Sequence, residues 1–195
     1  MASDNHETAP ALADKYGRMI FSTAYRILGR IEDAEDALQE VFLRLLTQRE
    51  GAGVEQAVKD WGAYLRVAAT RCALDLLRRR SAHDEQRGQL HDGIEDASAT
   101  DPRRAASARE RAALLRNAMK SLPERDAQVF CLRYFEDLSY EEIGEQMALS
   151  ASLVGVILHQ SRRRLREILE PIVGQPRPTA VGANQSFSVK TKKGD

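Results

Sequence analysis

Trp61 and Tyr64 precede Arg66, Arg71, Arg78, Arg79 and Arg80 in the stretch "WGAYLRVAATRCALDLLRRR". Rings stack on unpaired bases and guanidinium groups hold phosphates, so this combination suits single-stranded or melted DNA. The bland alternative, two core aromatics beside solvated arginines, stays open on sequence alone. A second set lies in "DAEDALQEVFLRLL". There Asp33, Asp36 and Glu40 fall at i, i+3 and i+7, on one helix face. Such a stripe suits a basic partner helix, although plain solvation produces the same pattern.

The third set is "LSYEEIGEQMALSASLVGVILHQSRRRL", residues 138–165. A short helix, a three-residue turn and a longer helix with a basic end form a helix-turn-helix pattern. At helical periodicity Val154, Leu158, Ser161 and Leu165 share the inward stripe, faced by Ile143, Met147 and Leu149. Ser152, Val156, His159, Gln160 and Arg163 point outward. Ser152, Gln160, Arg162, Arg163, Arg164 and Arg166 supply a phosphate grip. Leu153, Gly155, Val156 and Ile157 stand where polar base readers are expected, and none has a side-chain donor for a base edge.

These sets suit binding surfaces rather than reaction centres. The sequence carries no glycine-rich phosphate loop and no G-x-S-x-G elbow. His6, His83, His91 and His159 are scattered. No enzyme, cofactor or metal is expected. Cys72 and Cys131 sit in helical patterns without metal or disulfide spacing and read as small core residues. The 195-residue chain is 43% hydrophobic and 30% charged, enough apolar content for a core. Its formal net charge is zero, yet acids gather in 32–40 and 136–145 and bases in 78–80, 162–166 and 190–193. Segregated charge of this kind suits two partners, one basic protein and one nucleic acid. The N-terminus has no secretory pattern and no stretch of 18 apolar residues occurs, so a cytoplasmic protein is expected.

The elements that must position these residues read as seven helices and no strand. Leu12, Tyr16, Met19, Ile20, Ala24 and Ile27 mark the first, ended by Gly29. Ala34, Ala37, Leu38, Val41, Phe42 and Leu45 mark the second. After the loop "REGAGVEQ" the third runs to the arginine cluster. Residues 81–106, rich in Asp, Ser, Ala and Gly, read as a linker. A fourth helix follows, then a fifth with Pro123 at its first position. Ser139 and Glu142 form a capping box for the sixth, and the seventh spans Ala151 to about Leu169. The expected architecture is all-α: two small helical domains, 10–80 and 107–170, on a flexible linker, the second a helix-turn-helix. Residues 171–195 read as a disordered tail.

"EDAEDALQEVFLRLL", "YLRVAATRCALDLLRRR" and "LPERDAQVFCLRYFEDLSYEEIGEQMALS" together resemble the sigma factors of bacterial RNA polymerase, in the extracytoplasmic-function group. The resemblance covers about 12–80 and 108–169. It implies promoter-directed transcription initiation. The first domain would dock on the β′ clamp helices of core polymerase and open the −10 element. The second would bind the −35 element and the β flap. By position, Asp33, Asp36, Gln39 and Glu40 match the polymerase-docking stretch, with Phe42 as core. Tyr64 takes a frequent Trp position, with Trp61 one turn earlier. Asp75 and Arg78 match the −10 region, and Arg71 replaces a frequent Asn. With Arg66 and Arg79 these form the expected −10 set. Ser152, His159, Gln160, Arg162, Arg163 and Arg164 form the expected −35 set. The seventh helix departs from the family's usual Thr-Val-Lys-Ser-Arg-Leu-His run, keeping its buried Val and Leu. Weak −35 reading follows as an expectation. Two alternatives stay open: a sigma-like regulator brought to DNA by another targeting factor, and a helical interaction module that does not read DNA. An anti-sigma factor or other recruiting protein is a further open partner.

Overall fold

The computed structural model describes residues 8–51, 58, 60–87 and 102–173. Among these, seven α-helices follow in order: α1 (Ala9–Leu28), α2 (Ile31–Gly51), α3 (Trp61–Arg87), α4 (Pro102–Met119), α5 (Glu124–Tyr134), α6 (Tyr140–Met147) and α7 (Ala151–Val173). The fold is all-α, in two helical domains. α3 continues seven residues into the segment read as linker, and α4 starts inside its far end. Residues 88–101 of that segment, the loop residues 52–57 and the tail from 174 onward lie outside the described residues.

Local chemistry sets the helix ends. Gly29, at φ 75°, closes α1 in the left-handed region and donates its N–H to the Tyr25 carbonyl. Asp60 accepts the Ala63 N–H at 3.1 Å, so α3 begins at Trp61, later than the apolar pattern suggests. Pro123 is the N-cap of α5 rather than its first helical residue. The Ser139–Glu142 capping box forms reciprocally, with Glu142 N–H donating to Ser139 Oγ and Ser139 N–H donating to Glu142 Oε2. Those hydrogen bonds hold the Glu142 carboxyl below its usual range. α7 runs to Val173 and carries Pro171 in its last turn.

α1, α2 and α3 bury Leu12, Ile20, Ile27, Leu45, Leu65 and Leu74. The same core continues without a break into Met119, Leu122, Phe130 and Cys131 of the C-terminal domain. A second core, built from Val129, Leu132, Ile143, Val154, Ile157 and Leu158, holds the helix-turn-helix together. Its turn is tight. The Leu149 N–H donates to the Gly144 carbonyl at 2.8 Å, and a Cβ on Gly144 would lie 2.6 Å from the Leu149 carbonyl oxygen. Only glycine allows that backbone approach. Cys72 and Cys131 are both free and buried. Burial pushes the Cys72 thiol up to about 11 and the Cys131 thiol higher still.

Candidate nucleic-acid interface

α7 presents its outward face as the periodicity requires. Ser152, Val156, His159, Gln160, Arg162, Arg163, Arg164 and Arg166 are exposed, while Val154, Leu158, Ser161 and Leu165 are buried. Ser150 caps the helix by accepting the Leu153 N–H at 3.2 Å. Ile157 requires a correction. It is 2% exposed and belongs to the core, so it is not a missing base reader. The apolar surface of this face reduces to Leu153 and Val156, the latter 50% exposed. Gly155 faces the Tyr140 ring, where an added Cβ would meet an ordinary contact at 3.5 Å.

On α2 the acidic stripe is only partly a surface. Asp36 and Gln39 are exposed, and Glu40 is half-buried and paired with Arg44 at 2.9 Å. Asp33 is a second correction. Its side chain is buried and ion-paired with Arg80. Burial raises its carboxyl above the usual range, partly offset by the Arg80 charge. The sequence reading missed Leu43 and Leu46, which are exposed large apolar residues. With Asp36 and Gln39 they fall at i, i+3, i+7 and i+10, the spacing of a helix–helix seam. Subtracting the buried stripe of α2 from its apolar residues was the signal available.

On α3 the expected −10 set divides. Trp61 is 3% exposed, a core residue whose ring packs edge-on to Tyr64 at 5.8 Å. It offers no free stacking face here, which corrects the expectation for that ring; Tyr64 is half-buried. Asp75 lies 4.0 Å from Arg44, and Arg79 is exposed. The remaining arginines face the C-terminal domain. Arg66 lies 3.5 Å from the Glu136 carboxylate, Arg71 lies 3.2 Å from Glu124, and Arg78 donates to the Leu122 carbonyl at 3.2 Å. Among the described residues, no group of His, Cys, Asp and Glu gathers to hold a metal ion, and no helix is long and apolar enough to cross a membrane.

A three-helix bundle, with Leu43 and Leu46 exposed beside Asp36 and Gln39 on α2 and arginines along α3, is followed by a capped helix-turn-helix. The two halves of the chain match family models in that order: Sigma-70 region 2 over residues 12–83 and Sigma-70, region 4 over residues 118–167. The RNA polymerase sigma-E factor of Streptomyces antibioticus is 33% identical over 139 residues, which cover 71% of each chain. The ECF RNA polymerase sigma factor SigW of Bacillus subtilis is 25% identical over 169 residues, covering 83% of this chain and 88% of that one. Among solved structures, the sigma factor RpoE of Bartonella quintana, determined with the anti-sigma factor NepR, aligns with a TM-score of 0.48 at 14% identity, covering 81% of this chain and 94% of that one. The chain belongs to the extracytoplasmic-function group of RNA polymerase sigma factors.

Proposed function

We infer that this chain binds core RNA polymerase and directs promoter-specific transcription initiation. The observation that supports this best is the order of three faces in one chain: the seam on α2, the arginine row on α3 and the outward face of α7. In this reading the domain spanning 10–80 docks on polymerase and handles the −10 element. The domain spanning 107–170 lies at the −35 region. Asp36, Gln39 and Glu40 meet a basic partner helix, with Leu43 and Leu46 beside them. Asp33 acts indirectly, by fixing Arg80. Tyr64, Arg66, Arg71, Asp75, Arg78 and Arg79 serve the melted −10 strand.

At the −35 region, Ser152, His159, Gln160 and Arg162 to Arg164 hold DNA through phosphates, and sequence discrimination is weak. A bidentate base contact is worth about 1–3 kcal/mol of discrimination, and the exposed positions Leu153 and Val156 supply none. Their exposure also keeps a second reading in play, in which this apolar pair touches a recruiting protein.

Replacing Asp36 and Glu40 with Lys sets like charges against a basic partner and is expected to remove several kcal/mol of core-polymerase affinity. Pull-down with core polymerase at moderate salt tests this. Undiminished binding by the folded double variant would contradict the docking assignment.

A further inference from the structure

Lys15, Arg18, Ser22 and Arg26 fall at i, i+3, i+7 and i+11 on α1, which places all four on one face of that helix. Thr23 lies beside them and deeper, fully buried. This face is one wall of a groove of about 380 Å³, and Glu136, in the segment after α5, contributes the other. The volume is that of a small-molecule site. None of the residues assigned above to polymerase, to the −10 strand or to the −35 region lines it.

The groove is charged for an anion. Lys15, Arg18 and Arg26 bring three cations and Glu136 one carboxylate. That carboxylate is already held by two guanidinium groups, Arg26 at 2.8 Å and Arg66 at 3.5 Å, which screen it from an incoming anion. Arg26 is anchored, because the Nη1 that meets Glu136 also donates to the Phe135 carbonyl at 2.7 Å. A guanidinium carries five N–H donors in a rigid fork, so the rest of the Arg26 fork can take a second anion. Arg18 is exposed and makes no ion pair among the described residues.

The buried hydroxyl adds an independent sign. A threonine inside a helix commonly donates to the carbonyl four residues back. Thr70 does so, reaching the Arg66 carbonyl at 2.9 Å. Thr23 Oγ1 has no hydrogen-bond partner among the described residues. A buried hydroxyl left unpaired is costly, and an acceptor entering the groove would relieve that cost.

We propose that this groove binds a small organic di- or polyphosphate, with Lys15, Arg18 and Arg26 holding its charge and the Thr23 hydroxyl donating to a phosphate oxygen. Cationic forks beside a short hydroxyl are the donor set that phosphate oxygens accept. Lys15 to Arg26 spans eleven residues, about 16 Å of helix, more than a single phosphate covers. Both domains build the site, since α1 and Glu136 belong to different ones. A ligand there stabilises the folded chain by mass action.

Calorimetric titration of the full chain with inorganic pyrophosphate, at constant ionic strength and without divalent cations, tests the site. One equivalent is expected to bind with a dissociation constant of about 0.1 mM or tighter. The thermal midpoint is expected to rise with pyrophosphate concentration. Arg18→Ala, at an exposed position, is expected to weaken binding about tenfold. Thr23→Val keeps the shape without the hydroxyl and is expected to weaken binding about fivefold, with no loss of stability in the ligand-free chain. Arg163→Ala on α7 controls for diffuse attraction to basic surfaces and is expected to change nothing. No saturable binding up to about 10 mM pyrophosphate would overturn the site. So would equal weakening by Arg18→Ala and Arg163→Ala. Parent-like binding by folded Thr23→Val would overturn the hydroxyl's part. If Thr23→Val does not fold, Arg18→Ala against Arg163→Ala decides. A fluorescent single-stranded oligothymidine separates a small ligand from a DNA backbone. The parent chain and Arg18→Ala are expected to bind it equally, and a loss matching that for pyrophosphate would overturn the small-ligand assignment.

Discussion

α3 and α7 both carry arginines at helical spacing, and they dispose of them differently. On α3, Arg66, Arg71 and Arg78 meet acceptors on the other domain. On α7, Arg162, Arg163, Arg164 and Arg166 stand in solvent, with Arg163 paired to Glu167 on its own helix. A row of cations on a helix therefore does not define a nucleic-acid face by itself. What surrounds the row decides how many of its guanidinium groups are already engaged. Beside the α7 guanidinium groups, the exposed pair Leu153 and Val156 offers no side-chain donor. On α3, Arg66 and Arg78 are half-buried, whereas Arg71 and Arg79 are exposed.

The contrast within α7 is the one a mutation breaks most forcefully. Ile157→Ala empties a core site and is expected to cost about 2–5 kcal/mol, whereas Val156→Ala on the neighbouring exposed position should stay within about 0.5 kcal/mol. Chemical denaturation of both variants checks this. Equal losses would place the two side chains in the same environment. Two glycines sharpen the comparison in opposite directions. Gly29→Ala forces a side chain into the left-handed region, at about 1–2 kcal/mol, and drives its Cβ into the Arg116 guanidinium. Gly155→Ala has room beside Tyr140 and should stabilise by about 0.5–1 kcal/mol. Opposite shifts in thermal midpoint are expected.

The two arginine rows can be compared by salt titration of duplex DNA binding to the free chain. Arg163→Ala should lower the slope of log affinity against log salt by about 0.9, one phosphate contact. Arg78→Ala should leave that slope unchanged, because its guanidinium is engaged within the protein. The smallest effect concerns pH. Glu142 has a depressed pKa in the folded state, so its contribution to stability is full above its unfolded pKa and is lost as pH falls through the folded value. The stability gap between the parent chain and Glu142→Gln should therefore narrow on acidification. A gap independent of pH would contradict the capping-box account.

Much of this was legible in the sequence because local chemistry dictated it. Gly29, the Ser139–Glu142 box and the Val154–Leu158–Ser161–Leu165 stripe all stand where periodicity and capping put them. Ile157 was misread because a helix packed on two sides buries a wider stripe than one inward row. Asp33 and Trp61 were misread for a related reason. Their burial comes from α3 and α1 packing around them, which residue types along one helix do not encode. The partners of Arg66, Arg71 and Arg78 were beyond reach for the same cause, since contacts between domains have no local signature. Leu43 and Leu46 were within reach but hidden among the apolar residues of α2.

The central claim is that this chain directs initiation with its discrimination at the −10 element and mainly a phosphate grip at −35. In vitro transcription by reconstituted holoenzyme, on a matched series of promoters with the −10 or −35 segment scrambled, tests it most directly. The account predicts that scrambling −10 abolishes the transcript while scrambling −35 changes it little, because phosphate contacts carry no sequence information directly. A loss of about tenfold or more from −35 substitutions alone, equivalent to about 1.4 kcal/mol, would show that α7 reads bases and would contradict it.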